Sequence, residues 1–131
     1  MSLFIDHVVI TVADIDKSIH FYSNVLGMEL QEFLSTTDNA KRKSLKFGTQ
    51  KINLHEASKP FKPHAHKPLP GTMDICFLSE INVNDWIKIF DKFDIKIEDG
   101  PAIKTGANGP IKSIYVRDPD KNLIEISNQN Y

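Results

Sequence analysis

Hydrophobic and polar positions along the chain predict two halves with the same order of elements. In the first half, apolar β-branched runs predict strands at 4–12, 28–34, 44–47 and 51–56, with a helix starting near residue 15. The helix is indicated by Ile15, Ile19, Tyr22 and Leu26, which recur at helical spacing before Gly27. In the second half, strands are expected at 72–79, 95–98, 111–117 and 123–127, with a helix after Asn82 or Asn84. Each half is therefore a predicted βαβββ module.

The two halves are separated by a segment rich in proline. Residues 57–71 contain Pro60, Pro63, Pro68, Pro70 and Gly71, a composition typical of a linker. We expect one α+β domain covering 1–131, made of module 1–56, linker 57–71 and module 72–131. The two modules are expected to form a curved mixed sheet with a concave cleft.

The repeat also places a metal-capable side chain on the first and last strand of each half. These side chains are His7 and His55 in the first half, and Asp74 and Glu125 in the second. Strand alternation puts Asn53 with His55 on one face, and Glu125 opposite Ile124 and Ile126. A carboxylate among apolar neighbours needs a partner, which a divalent metal would provide. The pattern thus predicts one shared metal site, although His7 taken singly could be a core histidine.

Composition narrows the class of protein. The chain has 131 residues, 40% of them hydrophobic, with a formal net charge of −1, so neither nucleic acid nor an anionic membrane is an expected partner. No apolar run is long enough for a membrane span, and no secretion signal is visible at the N-terminus. The single cysteine, Cys76, excludes an internal disulfide and favours a cytoplasmic location. Because Cys76 lies in an apolar run, we expect it to be buried.

Three segments resemble the vicinal oxygen chelate superfamily, which includes glyoxalase I, bleomycin-resistance proteins and extradiol dioxygenases. They are the strand that opens with Asp6-His7-Val8, the helix that ends at 21–28, and the final hairpin at 117–125. The resemblance covers nearly the whole chain and is closest to small glyoxalase-domain-containing proteins, some described as virulence-associated.

The resemblance implies metal ligands at the ends of each module. His7 corresponds to the first ligand and Glu125 to the last, while His55 lies at a position that is often Glu in glyoxalase I. Asp74 departs from the family, which usually has His there, so it could be a ligand, orient one, or contact substrate. A slip of one residue would place Glu56 inward instead of His55. Zn, Ni, Fe(II), Mn and Co all suit such a donor set.

Further residues are candidates for catalysis or substrate binding. Glu125 could serve as a base, and Tyr115 resembles a tyrosine of the extradiol dioxygenases, although aromatic residues are common on such strands for packing alone. Asn53 and Lys104 are candidate substrate contacts, and Lys104 would lie in a loop at 102–110 that could be a lid or simply mobile. Arg117 is a candidate substrate contact whose alternative is an ion pair at the turn.

The expected function is that of a metal-dependent enzyme of lyase or isomerase type. Its small substrate would chelate the metal through adjacent oxygens. An extradiol-type dioxygenase is one alternative, and a non-catalytic antibiotic-binding protein of the bleomycin-resistance type is another. The family also implies a homodimer, with each cleft formed within one chain or shared between two.

Overall fold

The computed structural model describes residues 2–131, so residue 1 of the predicted first module lies outside it. Its contacts divide the chain into two compact units, and the boundary along the chain lies between Gly71 and Thr72. Each unit contains one four-stranded sheet. No helix within residues 2–131 is long and apolar enough to cross a membrane.

The first unit has the predicted βαβββ order. Its elements are β1 (His7–Val12), α1 (Ile15–Ile19), a π-helical segment (His20–Val25), β2 (Glu29–Leu34), β3 (Lys41–Phe47) and β4 (Gln50–Glu56). The sheet order is β1-β4-β3-β2. The first and last strands, β1 and β4, run parallel, and the other pairs are antiparallel.

The second unit repeats this arrangement. Its elements are β5 (Asp74–Leu78), α2 (Val83–Lys92), β6 (Asp99–Gly106), β7 (Gly109–Arg117) and β8 (Leu123–Asn128). The sheet order is β5-β8-β7-β6, and β5 again runs parallel to the last strand. The side chain of Asn82 caps α2 by accepting a hydrogen bond from the backbone of Asn84. The predicted pair of βαβββ modules is therefore confirmed.

One face of each sheet is covered by its own helix. In the first unit the buried side chains are Phe21, Tyr22 and Val25 of the helix and Ile10, Val12, Leu45, Ile52 and Leu54 of the sheet. In the second they are Val83, Trp86 and Phe90 of α2 and Ile114, Val116, Ile124 and Ile126 of the sheet. Because side chains alternate along a strand, the remaining positions face the other side of each sheet.

The first unit differs from the predicted boundaries at three places. The strand expected at 4–12 begins only at His7, and Phe4 is 91% exposed. The predicted helix changes into the π-helical segment, in which Leu26 N donates to Phe21 O across five residues. The third strand begins at Lys41 instead of Ser44, because the polar run at 41–43 pairs with β2.

The second unit differs more, because the strand predicted at 95–98 and the loop at 102–110 are both wrong. Residues 99–117 form a continuous hairpin whose turn is Ala107-Asn108. Gly100 and Pro101 are residue types typical of a turn, but here they lie at a register shift in β6, an edge strand that tolerates both. A Cβ at Gly100, where φ is +91°, would lie 2.3 Å from the carbonyl oxygen of Ser113. The segment 102–110, predicted as a loop or lid, therefore belongs to this hairpin, with Gly106 paired to Gly109.

A buried turn fixes where β8 begins. The Asp118 carboxylate accepts hydrogen bonds from the backbone of Asp120 and from both the backbone and the side chain of Asn122. The Asn122 side chain then accepts a hydrogen bond of 2.8 Å from Met73 N, just before β5. These contacts attach the β7–β8 turn to β5 and set the register of the strand that carries Glu125.

Candidate functional site

The face of the second sheet opposite α2 gathers several side chains able to do chemistry. Cys76 of β5 pairs with Glu125 of β8, and Glu125 pairs in turn with Tyr115 of β7. One step along, Ser113 of β7 lies opposite Ser127 of β8. Glu125 and Tyr115 are half-buried, whereas both serines are fully buried.

Two hydroxyl groups hold the carboxylate of Glu125. Ser113 Oγ donates a hydrogen bond of 2.6 Å to Glu125 Oε2, and Ser127 Oγ lies 3.3 Å from the same oxygen. The two serine oxygens are themselves 2.6 Å apart. A carboxylate that receives hydrogen bonds from buried donors is stabilised in a fixed orientation.

The neighbouring acidic side chains keep their protons. Burial, assisted by the Glu125 carboxylate, raises the pKa of Tyr115 to about 12. Burial also raises the pKa of the Cys76 thiol, whose Sγ lies 3.3 Å from Ser127 Oγ. Tyr115 and Cys76 are therefore hydrogen-bond donors at neutral pH and not nucleophilic anions. The prediction that Cys76 is buried is wrong, because alternation along β5 puts it on the open face.

An open pocket of about 520 Å³ lies over this face, with Glu125, Tyr115 and Cys76 in its lining. Leu78 and Ile111 add apolar surface, and Lys104 of β6 is also part of the lining. Lys104 Nζ lies 5.6 Å from the centre of the Tyr115 ring. The pocket thus combines a carboxylate, an apolar wall and a cation, which suits a small polar ligand with an apolar part.

In the first unit, His7 and His55 have different surroundings. His7 is exposed at the start of β1, and its Nδ1 lies 2.8 Å from the carboxylate of Asp6. This contact favours the tautomer that leaves Nε2 free to bind a metal, as is usual for metal-binding histidines.

His55 is half-buried against aromatic and cationic neighbours. Its ring centre lies 4.1 Å from that of Phe61, and Phe61 also packs under the Arg42 guanidinium at 3.6 Å. Burial, with the positive charges of Arg42 and His64, lowers the pKa of His55. The neutral imidazole is the form that binds metals, although a nearby guanidinium opposes a cation.

The other predicted site residues lie as follows. Asn53 is half-buried beside His55 on β4, and its Oδ1 is buried without a hydrogen-bond partner in residues 2–131. Asp74 is exposed at the start of β5. Arg117 forms the expected ion pair, since its Nε and one terminal nitrogen donate to the two carboxylate oxygens of Glu98 at 3.0 and 2.9 Å. Its remaining nitrogen donates to the Lys121 carbonyl.

Within residues 2–131, no group of three or more His, Cys, Asp and Glu side chains is gathered in a way that could hold a metal ion. His7 and His55 belong to the first unit, and Asp74 and Glu125 to the second. All four stay predictions as metal ligands.

Sequence reasoning missed the residues that support these side chains. Ser113 and Ser127 resemble ordinary strand serines, but alternation from Glu125 and Tyr115 could have placed both on the site face. Arg42 lies in the basic run 41–43 and Phe61 in the proline-rich linker, and neither position suggests a site residue from sequence alone. Both lie close to His55 only in the folded unit, and the sequence pattern did not specify how β3 and β4 pair.

Comparison with known proteins places these observations in a family. The model of the glyoxalase/bleomycin resistance protein/dioxygenase superfamily matches residues 4–126. The chain is 49% identical over 123 residues to the virulence protein STM3117 of Salmonella typhimurium, covering 94% of this chain and 82% of that protein. It is also 49% identical over 123 residues to the glyoxalase domain-containing protein RDO1 of Mycosarcoma maydis, covering 94% of this chain and 66% of that one.

A solved structure agrees with the fold. The integron cassette protein VCH_CASS1 from the mobile metagenome of V. cholerae superimposes with a TM-score of 0.91 at 41% identity. The match covers 99% of this chain and 98% of that one.

Proposed function

Because the chain belongs to the glyoxalase/bleomycin resistance protein/dioxygenase superfamily, we propose that it is a metal-dependent enzyme of lyase or isomerase type. Its substrate is a small molecule that binds the metal through adjacent oxygens. The observation that carries the proposal is the Glu125 carboxylate, half-buried in the lining of an open pocket and held by two buried hydroxyls. Such a carboxylate is prepared to bind a cation or to accept a proton.

The proposed ligands are of types that divalent ions accept. Glu125 of the second unit offers oxygen, and His7 of the first unit, with Nδ1 on Asp6, offers Nε2, donor types that suit Zn, Ni, Fe(II), Mn or Co. His55 and Asp74 are further candidate ligands. When bound, such an ion supplies Lewis acidity that polarises the substrate oxygens.

The remaining residues define what the pocket can hold. Tyr115 Oη keeps its proton because burial and Glu125 raise its pKa to about 12, so it donates a hydrogen bond to a substrate oxygen. Lys104 provides a positive charge for an anionic substituent, and Leu78 and Ile111 accept an apolar part. Asn53 belongs to the first unit and stays a candidate substrate contact by itself, because its buried Oδ1 has no hydrogen-bond partner in residues 2–131. We therefore propose a small anionic substrate with an apolar substituent.

Elemental analysis and calorimetric titration of protein purified without chelators test the metal. We expect binding of at least one of Zn, Ni, Mn, Co or Fe(II), lost in Glu125→Gln and retained in Glu80→Gln. Glu80 is an exposed carboxylate in the same unit, so it controls for the change of charge. Wild-type protein that binds none of these ions contradicts the proposal.

A dioxygenase is the second candidate because Tyr115 pairs directly with Glu125. Oxygen consumption with catechols on the Fe(II)-loaded protein would favour it. Isomerisation of hemithioacetals of 2-oxoaldehydes, without oxygen uptake, would favour the lyase or isomerase. Tight binding of a drug without turnover or metal would indicate a binding protein of the bleomycin-resistance type.

We also propose that the protein is a cytoplasmic homodimer. Several large apolar side chains are exposed in the single chain, among them Leu34 at 58%, Leu69 at 53% and Ile103 at 56%, and a second copy would cover such surface. One cysteine per chain fits a reducing compartment. Light scattering should give twice the chain mass of 14.9 kDa, and the mass of a single chain would contradict the dimer.

A further inference from the structure

We infer that a pocket in the first unit, here called the Arg42 pocket, binds the phosphate group of a small organic phosphate, and that Asp38 holds its place in the free protein. The pocket has a volume of about 480 Å³ and lies where β3 begins and β4 ends. All of its lining residues belong to the first unit, whereas Glu125 and the pocket beside it belong to the second. This site is therefore separate from the one on which the proposed function depends.

The lining of the Arg42 pocket is mainly basic. Four of its side chains are positive and two are carboxylates, so the lining carries a formal charge of +2. These six residues are Lys41, Arg42, Lys43, Lys59, Asp38 and Glu56. None of the three lysines forms an ion pair within residues 2–131. Cations that line one cavity without counter-ions attract an anionic ligand, and a dianion balances this charge.

Arg42 has a buried N–H group without a partner. Its side chain is 14% exposed, and its Nε is buried with no hydrogen-bond partner in residues 2–131. The terminal nitrogen Nη2 lies 2.5 Å from Asp38 Oδ2, and the ring of Phe61 covers one face of the guanidinium at 3.6 Å. An unpaired buried donor on a charged group is costly. A ligand oxygen that reaches Nε removes this cost.

Arg117 of the second unit shows how a guanidinium is satisfied when both nitrogens of one edge are used. Its Nε and Nη2 donate to the two carboxylate oxygens of Glu98, at 3.0 and 2.9 Å. At Arg42, Nη2 donates to Asp38 and Nε is left without an acceptor, so only half of the same edge is used. Phosphate and carboxylate groups have the geometry to accept from both nitrogens at once.

Asp38 is placed to give way to such a group. Its side chain is 43% exposed and lies in the loop before β3. Its second oxygen, Oδ1, accepts a hydrogen bond from the backbone of Ala40, which keeps that oxygen away from Nε. A partly exposed ion pair contributes little to stability. A phosphate that replaces Asp38 at Nη2 and also reaches Nε therefore gains more than is lost.

The charge and the walls of the pocket indicate the class of ligand. A phosphate monoester carries a charge of about −1.5 to −2 at pH 7, whereas a carboxylate carries only one negative charge, so the phosphate suits the lining better. Leu54 and Phe61 add apolar surface beside the cations, and the cavity is larger than a phosphate ion needs. The expected ligand is thus a phosphate attached to a small apolar or aromatic group, for which phenyl phosphate is the probe.

Nitrogen NMR of arginine side chains gives a direct test, because the chain contains two arginines, Arg42 and Arg117. Phenyl phosphate is titrated into the full chain, and Arg42→Lys identifies which Nε–H signal belongs to Arg42. We expect the Arg42 signal to shift and saturate below about 10 mM ligand. The Arg117 signal should stay in place, because its Nε is already bonded to Glu98. Benzoate should bind more weakly than phenyl phosphate.

Calorimetry on variants measures what each side chain contributes to phosphate affinity. Arg42→Gln should weaken the affinity by at least about tenfold, which is the effect of losing a hydrogen bond to a charged group. Arg42→Lys should lie between Arg42→Gln and wild type, because lysine keeps the charge and loses the planar edge. Asp38→Asn should strengthen the affinity by about two- to fivefold, because the ligand no longer displaces a carboxylate. Lys46→Gln is the control, since Lys46 is exposed on the same strand outside this lining, and it should match wild type.

Three results would overturn the inference. The first is an Arg42 signal that does not move at about 10 mM phenyl phosphate, and the second is weaker binding in Asp38→Asn. The third is affinity lost in Lys104→Gln and kept in Arg42→Gln, which would place the ligand in the pocket of the second unit. Melting curves identify an Arg42 variant that fails to fold, and the wild-type spectra and Asp38→Asn do not depend on such a variant. Metal binding at Glu125 is measured separately, so failure of either proposal leaves the other standing.

Discussion

Asn122 provides a sharp test of how the second unit holds the strand of Glu125. Its side chain is 1% exposed and makes two hydrogen bonds of 2.8 Å, one to the Asp118 carboxylate and one from the Met73 backbone. Asn122→Ala removes both contacts. It also leaves a backbone N–H without its partner and a buried carboxylate with one donor fewer.

The cost follows from the kinds of hydrogen bond that are lost. A hydrogen bond between neutral groups contributes about 1 kcal/mol, and one to a charged group about 1.5–3 kcal/mol. We therefore expect Asn122→Ala to lower the free energy of unfolding by about 3 kcal/mol. For a chain of this size, about 4 °C per kcal/mol gives a fall in melting temperature of roughly 12 °C.

Urea denaturation followed by tryptophan fluorescence measures this change. The only tryptophan, Trp86, lies buried on α2 of the same unit and reports its unfolding. Asn84→Ala is the control, because Asn84 is exposed on the same helix, and its effect should stay within about 0.5 kcal/mol. A loss below about 1 kcal/mol in Asn122→Ala would refute the view that this buried turn anchors the strand.

Three further results are expected. Nitrogen NMR of the metal-free protein should place the pKa of His55 below its usual 6.5. The free energy of unfolding should therefore fall as pH drops below 6.5, because the unfolded chain binds the proton first. Arg42→Gln should raise the pKa only in part, because burial is the larger cause, and a full return to 6.5 would contradict this. Tyrosine absorbance should show a group that titrates near pH 12 and is missing in Tyr115→Phe. The free energy of unfolding should fall above about pH 10, because Tyr115 loses its proton more readily in the unfolded chain. Titration of Tyr115 at its ordinary pKa would contradict this. Gly100→Ala should lower the free energy of unfolding by at least about 2 kcal/mol more than Gly48→Ala does. A Cβ at Gly100 would meet backbone, whereas one at Gly48 meets nothing within 4 Å. Equal unfolding midpoints of the two variants in urea would contradict this.

The repeated pattern of apolar strands predicted the order of elements and the strand that carries Glu125. That prediction succeeded because the first part of β8 alternates, with Ile124 and Ile126 buried and Glu125 half-buried on the other face. The same reasoning failed at 99–110, because Gly100 and Pro101 are residue types that usually end a strand. Both residues are tolerated in β6 because it is an edge strand with a register shift. Edge position depends on the whole sheet, so a local pattern does not show it.

The residues of the candidate site were likewise predictable only in part. Charged and aromatic residues such as Glu125 and Tyr115 stand out against apolar neighbours, and the sequence identifies them. The groups that hold them, Ser113 and Ser127, become visible only when β7 and β8 are aligned in register. Likewise, His55 was recognised, but the Arg42 guanidinium and the Phe61 ring beside it were not.

The parallel pairing of β5 with β8 has a consequence for synthesis on the ribosome. Cys76 and Leu78 of β5 emerge early, yet their partners on β8, Glu125 and Ser127, emerge only after the entire β6–β7 hairpin. Contacts so distant in sequence form slowly and leave an unpaired strand edge exposed in the meantime. The nascent second unit therefore stays incomplete, and open to mispairing with other chains, until its last strand is translated.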